Sequence, residues 1–188
     1  MKKIGIYGGT FDPVHNAHLI LARDALESME LEKVIFVPAA VSPFKDKPAA
    51  PPALRLQMLQ AALAGEPGFV IDECELRRPP PSYTFDSVEV IRKQEGQASY
   101  YFLLGQDNIA GLPRWHRFNE LSNLVQFVVL DRTGNSTGHS YRVIRRKVDI
   151  SATEIRKRVA SGQSIRYLVP GGVEDIIRQG NLYREEGK

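Results

Sequence analysis

Ile4-Gly5-Ile6-Tyr7-Gly8-Gly9-Thr10-Phe11-Asp12-Pro13-Val14-His15-Asn16-Ala17-His18-Leu19 is the stretch on which the reading of this chain turns. Its first four residues form an apolar run suited to a buried strand. Gly8 and Gly9 break that run, and with no Cβ they let the backbone turn sharply and come close to a ligand. Pro13 fixes φ and keeps a regular element from passing through the turn. From about residue 17 a helix is expected, because Leu19, Ala22, Leu26 and Met29 recur at spacings of three and four and share a face. Free backbone N–H groups at a helix start favour anions, phosphate above all. His15 and His18 stand three residues apart at that start. Two imidazoles there can donate hydrogen bonds to a phosphate and steady the charge that builds up in phosphoryl transfer. Neither Gly-Lys-Ser/Thr nor Gly-x-Gly-x-x-Gly is present, so this is a different phosphate-handling turn from the P-loop and the dinucleotide fingerprint.

Working outward, strands are expected over residues 33–37, 69–76, 99–104 and 125–130, with a polar edge strand over 143–150. Residues 38–52 hold five prolines and read as a loop, with Lys45 inside it. Helices are expected over about 53–64, marked by Leu56, Leu59 and Leu63, and from Thr84, read as a cap, to about 94. A loop with Pro113 and Trp115 leads to a short helical piece at 118–122. Residues 131–140, rich in Gly, Ser and Thr, read as a flexible loop. Ser151-Ala152-Thr153-Glu154 matches a capping box, opening a helix that ends at Gly162. A last helix is expected over about 172–179. Strands alternating with helices imply an α/β fold, a doubly wound, mostly parallel sheet covered on both faces. In such sheets ligands bind beyond the carboxyl ends of the strands. Lys45, Thr84, Asp107 and Ser151 each follow a different strand, which points to one shared site.

Length and composition narrow the class. With 188 residues, 43% hydrophobic and 25% charged, a single domain over 1–188 is expected, its core over about 1–150 and a C-terminal helical part over about 151–188. No apolar run approaches the ~20 residues that span a bilayer. Lys2-Lys3 are not followed by the long hydrophobic region of a secretion signal. Cys74 is the single cysteine, so no internal disulfide forms, a reducing cytoplasm is expected, and a buried structural thiol is the favoured role. Net charge is +3, yet residues 132–168 hold nine Lys or Arg against Asp149 and Glu154. Such a segment suits polyphosphate or nucleic acid, or is a solvated face without a ligand.

The residues then reach a family. Gly8 to His18 resembles the signature of the nucleotidyltransferases with a His-x-Gly-His motif, with Ala17 where the motif has Gly; the added methyl alters how close the backbone comes to a phosphate. Ile150-Ser151-Ala152-Thr153-Glu154-Ile155-Arg156 resembles the second signature of that family, Ile-Ser-x-Thr-x-x-Arg, whose segment holds the β- and γ-phosphates of ATP. Arg156 offers a fork suited to phosphate oxygens. Read as metal ligands, His15 and His18 lack a third partner at suitable spacing. Pro81-Ser82-Tyr83-Thr84, Gly105-Gln106-Asp107, the loop with Trp115 and the segment from Ile165 to Tyr183 resemble the bacterial nicotinate mononucleotide adenylyltransferases over essentially the whole chain.

That resemblance implies a Rossmann-like domain in which the mononucleotide phosphate attacks the α-phosphorus of ATP, giving nicotinate adenine dinucleotide and pyrophosphate. It implies that His18, His15, Lys45 and Arg156 serve the chemistry. Gly8, Gly9, Thr10, Phe11, His15, His18, Gly105, Asp107, Ile150, Ser151, Thr153 and Arg156 would meet ATP. Thr10, Lys45, Tyr83, Thr84, Trp115 and His116 would meet the mononucleotide. Lys45 departs from the family in standing after Pro43-Phe44 rather than Pro-His. Taken alone, Lys45 is a solvated loop lysine, Asp107 caps a turn, and Trp115 packs in the core or presents a flat ring. Mg²⁺ would arrive with ATP, with no dedicated metal site. Nucleic acid and membrane are not expected partners, and a homo-oligomer stays open. The rival readings are a phosphopantetheine adenylyltransferase of the same superfamily and a non-enzymatic nucleic-acid binder.

Overall fold

The computed structural model describes residues 1–40, 50–79, 81–134 and 138–184; Lys45 lies outside them. Six strands form one sheet: β1 (Lys3–Gly9), β2 (Lys33–Pro38), β3 (Phe69–Ile71), β4 (Ser99–Gly105), β5 (Gln126–Asp131) and β6 (Arg142–Arg145). Their order is β3-β2-β1-β4-β5-β6, and every neighbouring pair is parallel. β1 is central, with Ile6 opposite Ile35 of β2 and Phe102 of β4. The helices are α1 (Asn16–Ser28), α2 (Pro52–Leu63), α3 (Thr84–Glu95), α4 (Phe118–Leu124), α5 (Ala152–Ala160) and α6 (Gly171–Gln179), with a 3-10 segment over Gln106–Arg114.

The period-2 alternation of the strands sorts their side chains into two cores. Tyr7, Val34, Phe36, Leu103, Val128 and Leu130 face one side, where α1, α2, α5 and α6 add Ala22, Ala25, Met58, Leu59, Ile155, Val173 and Ile177. Ile4, Ile6, Ile35, Val37, Phe102, Leu104 and Val129 face the other, where α3, α4 and the 3-10 segment add Phe85, Val88, Ile91, Leu121 and Leu112. A sheet buried on both faces is what the continuous apolar strands dictate. Residues of α5 and α6 lie in the first core with α2, so the C-terminal part shares the core of the central sheet. It is also tied to α1: Asn16 donates its backbone N–H to the Leu168 carbonyl (2.9 Å) and its side-chain amide to the Tyr167 carbonyl (2.7 Å).

Several expectations need correction. The third strand stops at Ile71 because the Asp72 carboxylate accepts the Cys74 N–H (2.8 Å) and turns the chain away; Cys74 is buried in that turn, not in a strand. The sixth strand ends at Arg145, since its neighbour β5 ends at Asp131, the last residue it pairs with. Thr84 is the first residue of α3, and Tyr83 is the N-cap. Helix α1 starts at Asn16, with His15 as N-cap. The stretch around Pro113 is a 3-10 segment rather than open loop. Within 131–134, the buried Asp131 carboxylate closes a turn by accepting the N–H groups of Thr133 and Gly134, both at 2.9 Å. At Ser151 the expected cap forms, its Oγ accepting the Glu154 N–H at 3.1 Å. Among the described residues no helix is long and apolar enough to cross a membrane.

Candidate active site

Strand order reverses between β1 and β4, and the chain leaves the carboxyl ends of these two strands in opposite directions. That parting opens the crevice in which doubly wound sheets bind ligands. Gly8 and Gly9 line it because nothing larger fits. A Cβ at Gly8 would come within 3.0 Å of the Phe102 ring, and one at Gly9 within 2.9 Å of the Phe11 ring. Phe11 itself takes a left-handed backbone (φ 48°) and stacks its edge against Tyr7 and His18.

The loop from Thr10 to His15 is held from several sides. Arg55, wholly buried on α2, donates Nη1 to the carbonyls of Thr10 and Ala39 (both 2.7 Å), Nη2 to Ala40 (3.2 Å) and Nε to Ala50 (3.3 Å). One guanidinium thus joins the loop after β1 to the residues on either side of 41–49. The buried Asp12 carboxylate accepts the Tyr183 hydroxyl (2.7 Å) and the Ala50 N–H (3.2 Å). Burial, and then this bond to Asp12, push the Tyr183 hydroxyl well above the usual phenol range. Arg156 donates Nη1 to the Asp12 carbonyl (2.8 Å) and Nη2 to Thr153 Oγ1 (3.4 Å). The second phosphate motif is thereby brought against the first, across 144 residues of sequence.

The two histidines stack at 3.7 Å between ring centroids. His15 N–H donates to His18 Nδ1 (3.2 Å), so a neutral His18 carries its proton on Nε2. His15 is 3% exposed, and burial, then the Arg132 guanidinium, push it down to about 3. Its ring is therefore neutral at pH 7, and its Nδ1 is buried without a hydrogen-bond partner among the described residues. Stacked imidazoles would repel if both were charged, and the neutral His15 ring avoids that repulsion. Arg132, at the end of β5, donates to the Ile150 carbonyl (2.9 Å), which places it between the two motifs.

Beside this phosphate side lies a cavity of about 330 Å³. Gly8, Gly9, Thr10, Tyr83, Thr84, Asp107, Trp115 and His116 line it, together with Glu75, Ser82, Phe102 and Arg114. Tyr83 stacks on His116 at 4.3 Å. Trp115 is half-buried and sets its ring perpendicular to Phe102 at 5.7 Å, so it packs on the core and lines the cavity at once. Phe11, His15, His18, Gly105, Ile150, Ser151, Thr153 and Arg156 are not among the cavity's lining residues. Gly105 ends β4, and a Cβ there would strike the Asp107 carboxylate at 2.5 Å. The other seven belong to the two motif segments that meet beside it, the loop from Phe11 to His18 and the start of α5.

Sequence reading missed Arg55, Asp12, Tyr183, Arg132 and Glu75. Arg55 had a signal. It falls on the stripe Arg55, Met58, Leu59, Ala62, Leu63, all buried, where a lone cation among apolar residues three and four apart marks a paired interior group.

The chain was then compared with known proteins. A family profile described as cytidylyltransferase-like matches residues 6–158. A probable nicotinate-nucleotide adenylyltransferase of Geobacillus thermodenitrificans is 43% identical over 97% of this chain and 87% of its own. One from Thermomicrobium roseum is 41% identical over 98% of this chain and 92% of its own. Among solved structures, nicotinic acid mononucleotide adenylyltransferase of Plasmodium falciparum complexed with NaAD has the same fold, with a TM-score of 0.81 over 97% of this chain and 98% of that one at 21% identity.

Proposed function

This chain belongs to the cytidylyltransferase-like family and, within it, to the nicotinate-nucleotide adenylyltransferases, and from that premise we infer that it transfers the adenylyl group of ATP to nicotinate mononucleotide, a step of NAD biosynthesis. The observation that carries the reading is the meeting of the two phosphate motifs at the switch point, Arg156 on the Asp12 carbonyl, beside a cavity lined by aromatic rings.

The mononucleotide phosphate supplies the nucleophile. One of its oxygens forms a bond to the α-phosphorus of ATP as the bond from that phosphorus to the bridging oxygen breaks, and pyrophosphate leaves with both electrons. No covalent enzyme intermediate is needed, so the protein's task is placement and charge stabilisation. His18 donates from Nε2 to the α-phosphate, and His15, neutral and buried, backs it. Ser151, Thr153 and Arg156 hold the β- and γ-phosphates, with Ile150 at the same helix start. Gly8 and Gly9 at the end of β1 and Phe11 in the loop after it lie against ATP, and Gly105 with Asp107 meets its ribose. Thr10 and Lys45 place the incoming phosphate. Trp115, His116 and Tyr83 bound the pyridine ring, and its carboxylate meets the start of α3 at Thr84. Mg²⁺ enters as part of the substrate MgATP; among the described residues no group of three His, Cys, Asp or Glu is placed to hold a metal. We place the reaction in the cytoplasm, in keeping with the single buried thiol Cys74.

Several guanidiniums of the basic segment over 132–168 have partners within the chain, although Arg142, Arg145, Arg146 and Arg166 stay exposed. Arg132 bonds to Ile150, Arg142 to the Ser28 carbonyl, Arg146 to the Asp24 carboxylate and Arg158 to the Ser164 carbonyl. Pyrophosphate release from MgATP tests the assignment, with nicotinate mononucleotide, nicotinamide mononucleotide and phosphopantetheine supplied in parallel. Preference for the first is the expected result. Turnover only with phosphopantetheine would keep the ATP side and overturn the assignment of Trp115 and Thr84.

A further inference from the structure

Glu75 is the cavity's one buried carboxylate among the described residues, 7% exposed, and the mechanism above makes no use of it. Its partner lies at the start of α3. Ser87, in the first turns of the helix, donates its hydroxyl to Glu75 Oε1 at 2.6 Å and lies 3.2 Å from the Tyr83 carbonyl. Ser82, just before the N-cap residue Tyr83, lines the same cavity wall. Ser82 Oγ in turn accepts the Ala40 N–H (3.1 Å), which anchors this point to the end of β2. The short connection Tyr83-Thr84 is therefore held on the helix side by Glu75 through Ser87 and at Ser82 by the Ala40 N–H. Tyr83 provides no side-chain cap to α3, so the first N–H groups of that 12-residue helix depend on backbone placement for what they meet.

We propose that Glu75 is a positioning residue for recognition of the mononucleotide's carboxylate, holding the Ser82-Tyr83-Thr84 turn so that the first N–H groups of α3 present a fixed anion-binding edge to the cavity. The inference rests on the reading of this cavity as the mononucleotide pocket. The network makes sense of a carboxylate placed where an anionic ligand is to bind. Its Oε1 accepts the Ser87 hydroxyl of the wall, and Arg78, which donates to Ser87 Oγ at 2.9 Å, sits beside it. Burial raises the affinity of Glu75 for a proton, Ser87, Ser82 and Arg78 lower it, and the neighbouring Asp86 raises it again. In either protonation state the group keeps an oxygen that accepts from Ser87. Shape, not charge, is its contribution, and that separates the proposal from simple electrostatic repulsion or attraction.

The test compares Glu75→Ala and Glu75→Gln with the parent protein. The readouts are KM for nicotinate mononucleotide, KM for MgATP, kcat, the preference for the acid over the amide mononucleotide, and the melting temperature. Glu75→Ala is expected to raise KM for nicotinate mononucleotide tenfold or more and to shrink the acid preference, with KM for MgATP within twofold. Glu75→Gln keeps an oxygen acceptor in the same place and is expected to recover most of that loss. Should Glu75→Ala not fold, Ser87→Ala is expected to show the same one-sided rise in KM, smaller in size. Equal rises in both KM values would overturn the proposal in favour of a general structural role. Tighter binding of the acid in both Glu75 variants would overturn it in favour of repulsion. No turnover of nicotinate mononucleotide by the parent protein would instead sink the functional reading beneath it, whereas normal parent turnover with an unmoved KM in a folded variant would sink this inference alone.

Discussion

The loop after β1 is held by side chains from distant parts of the chain, whereas the opposite wall of the crevice is held by its neighbours. Arg55, Tyr183 and Arg156 reach the loop across 45, 171 and 144 residues. The wall formed by 82–84 and 115–116 rests on ring contacts, Tyr83 on His116 and Trp115 on Phe102, on the Ala40 N–H at Ser82 and on the Ser87 hydroxyl that Glu75 holds. The difference fits the two tasks. A site for developing charge works by dipoles that do not move when the charge appears, so every freedom of the loop would cost rate. A site for a flat ring needs a surface of the right shape, which stacked side chains provide. Damage to the loop should therefore reach kcat and stability, and damage to the wall should reach the KM of one substrate.

The largest effect is expected at His18. Removing one well-placed donor to a developing anion typically costs about a hundred- to a thousandfold. His18→Ala should lower kcat by about that much with the fold intact, checked by single-turnover pyrophosphate release and circular dichroism. A change confined to KM would place His18 with the wall rather than with the loop.

Arg55→Met comes next. The substitution keeps much of the volume but strands the carbonyls of Thr10, Ala39, Ala40 and Ala50. Bonds to a charged group are worth about 1.5–3 kcal/mol each, and they are not additive. A loss of about 3 kcal/mol or more in urea unfolding is expected, with both KM values and kcat disturbed together. His15 adds a pH dependence on the same side. Its folded affinity for protons is depressed, to about 3, by burial and then by Arg132. Between the ordinary histidine range near 6.5 and that value the unfolded chain takes up a proton that the folded chain refuses. Stability contributed by His15 is therefore present above about pH 6.5 and is lost as pH falls toward 3, by up to about 1.4 kcal/mol per unit. Denaturation midpoints measured from pH 7 to 5 should fall less steeply in His15→Gln than in the parent.

What could be read in advance follows the same division. The central strand, which runs on through Gly8 and Gly9 where a break after Tyr7 is expected, the pair His15 and His18 and the cap at Ser151 are local patterns, written within a few residues of one another. So is the alternation that gives the parallel sheet. The braces are not local. Nothing near Tyr183 says that its hydroxyl meets Asp12, and the role of Arg55 exists only once four carbonyls from three chain segments converge. The third strand ends where its apolar run Phe69-Val70-Ile71 ends; Asp72, Glu73 and Glu75 follow, and the Asp72 carboxylate turns the chain. Nor does any local pattern mark Glu75, whose partner Ser87 stands twelve residues on, across a proline-rich stretch.

On the wall, Trp115→Ala should raise KM for nicotinate mononucleotide about tenfold, the lower end of what stacking a base on an aromatic ring is worth. KM for MgATP and the melting temperature should move little, since Trp115 is only half-buried. A matching rise in KM for MgATP would mean that the wall, like the loop, serves both substrates, and the contrast between the two regions would fail.

Tyr183→Phe is the smallest and the most discriminating change. It deletes one hydroxyl and leaves the ring that packs against the core. Asp12 keeps the Ala50 N–H on the same oxygen, so its carboxylate is weakened in support rather than orphaned. The expected loss of stability is about 1 kcal/mol, the net worth of a typical intramolecular hydrogen bond. If the loop's rigidity serves catalysis, kcat should fall severalfold while both KM values hold, because Asp12 lies three residues before His15 and its carbonyl receives Arg156. If kcat is unchanged at equal or greater loss of stability, the C-terminal brace maintains only the fold, and the loop's placement rests on Arg55 and Arg156.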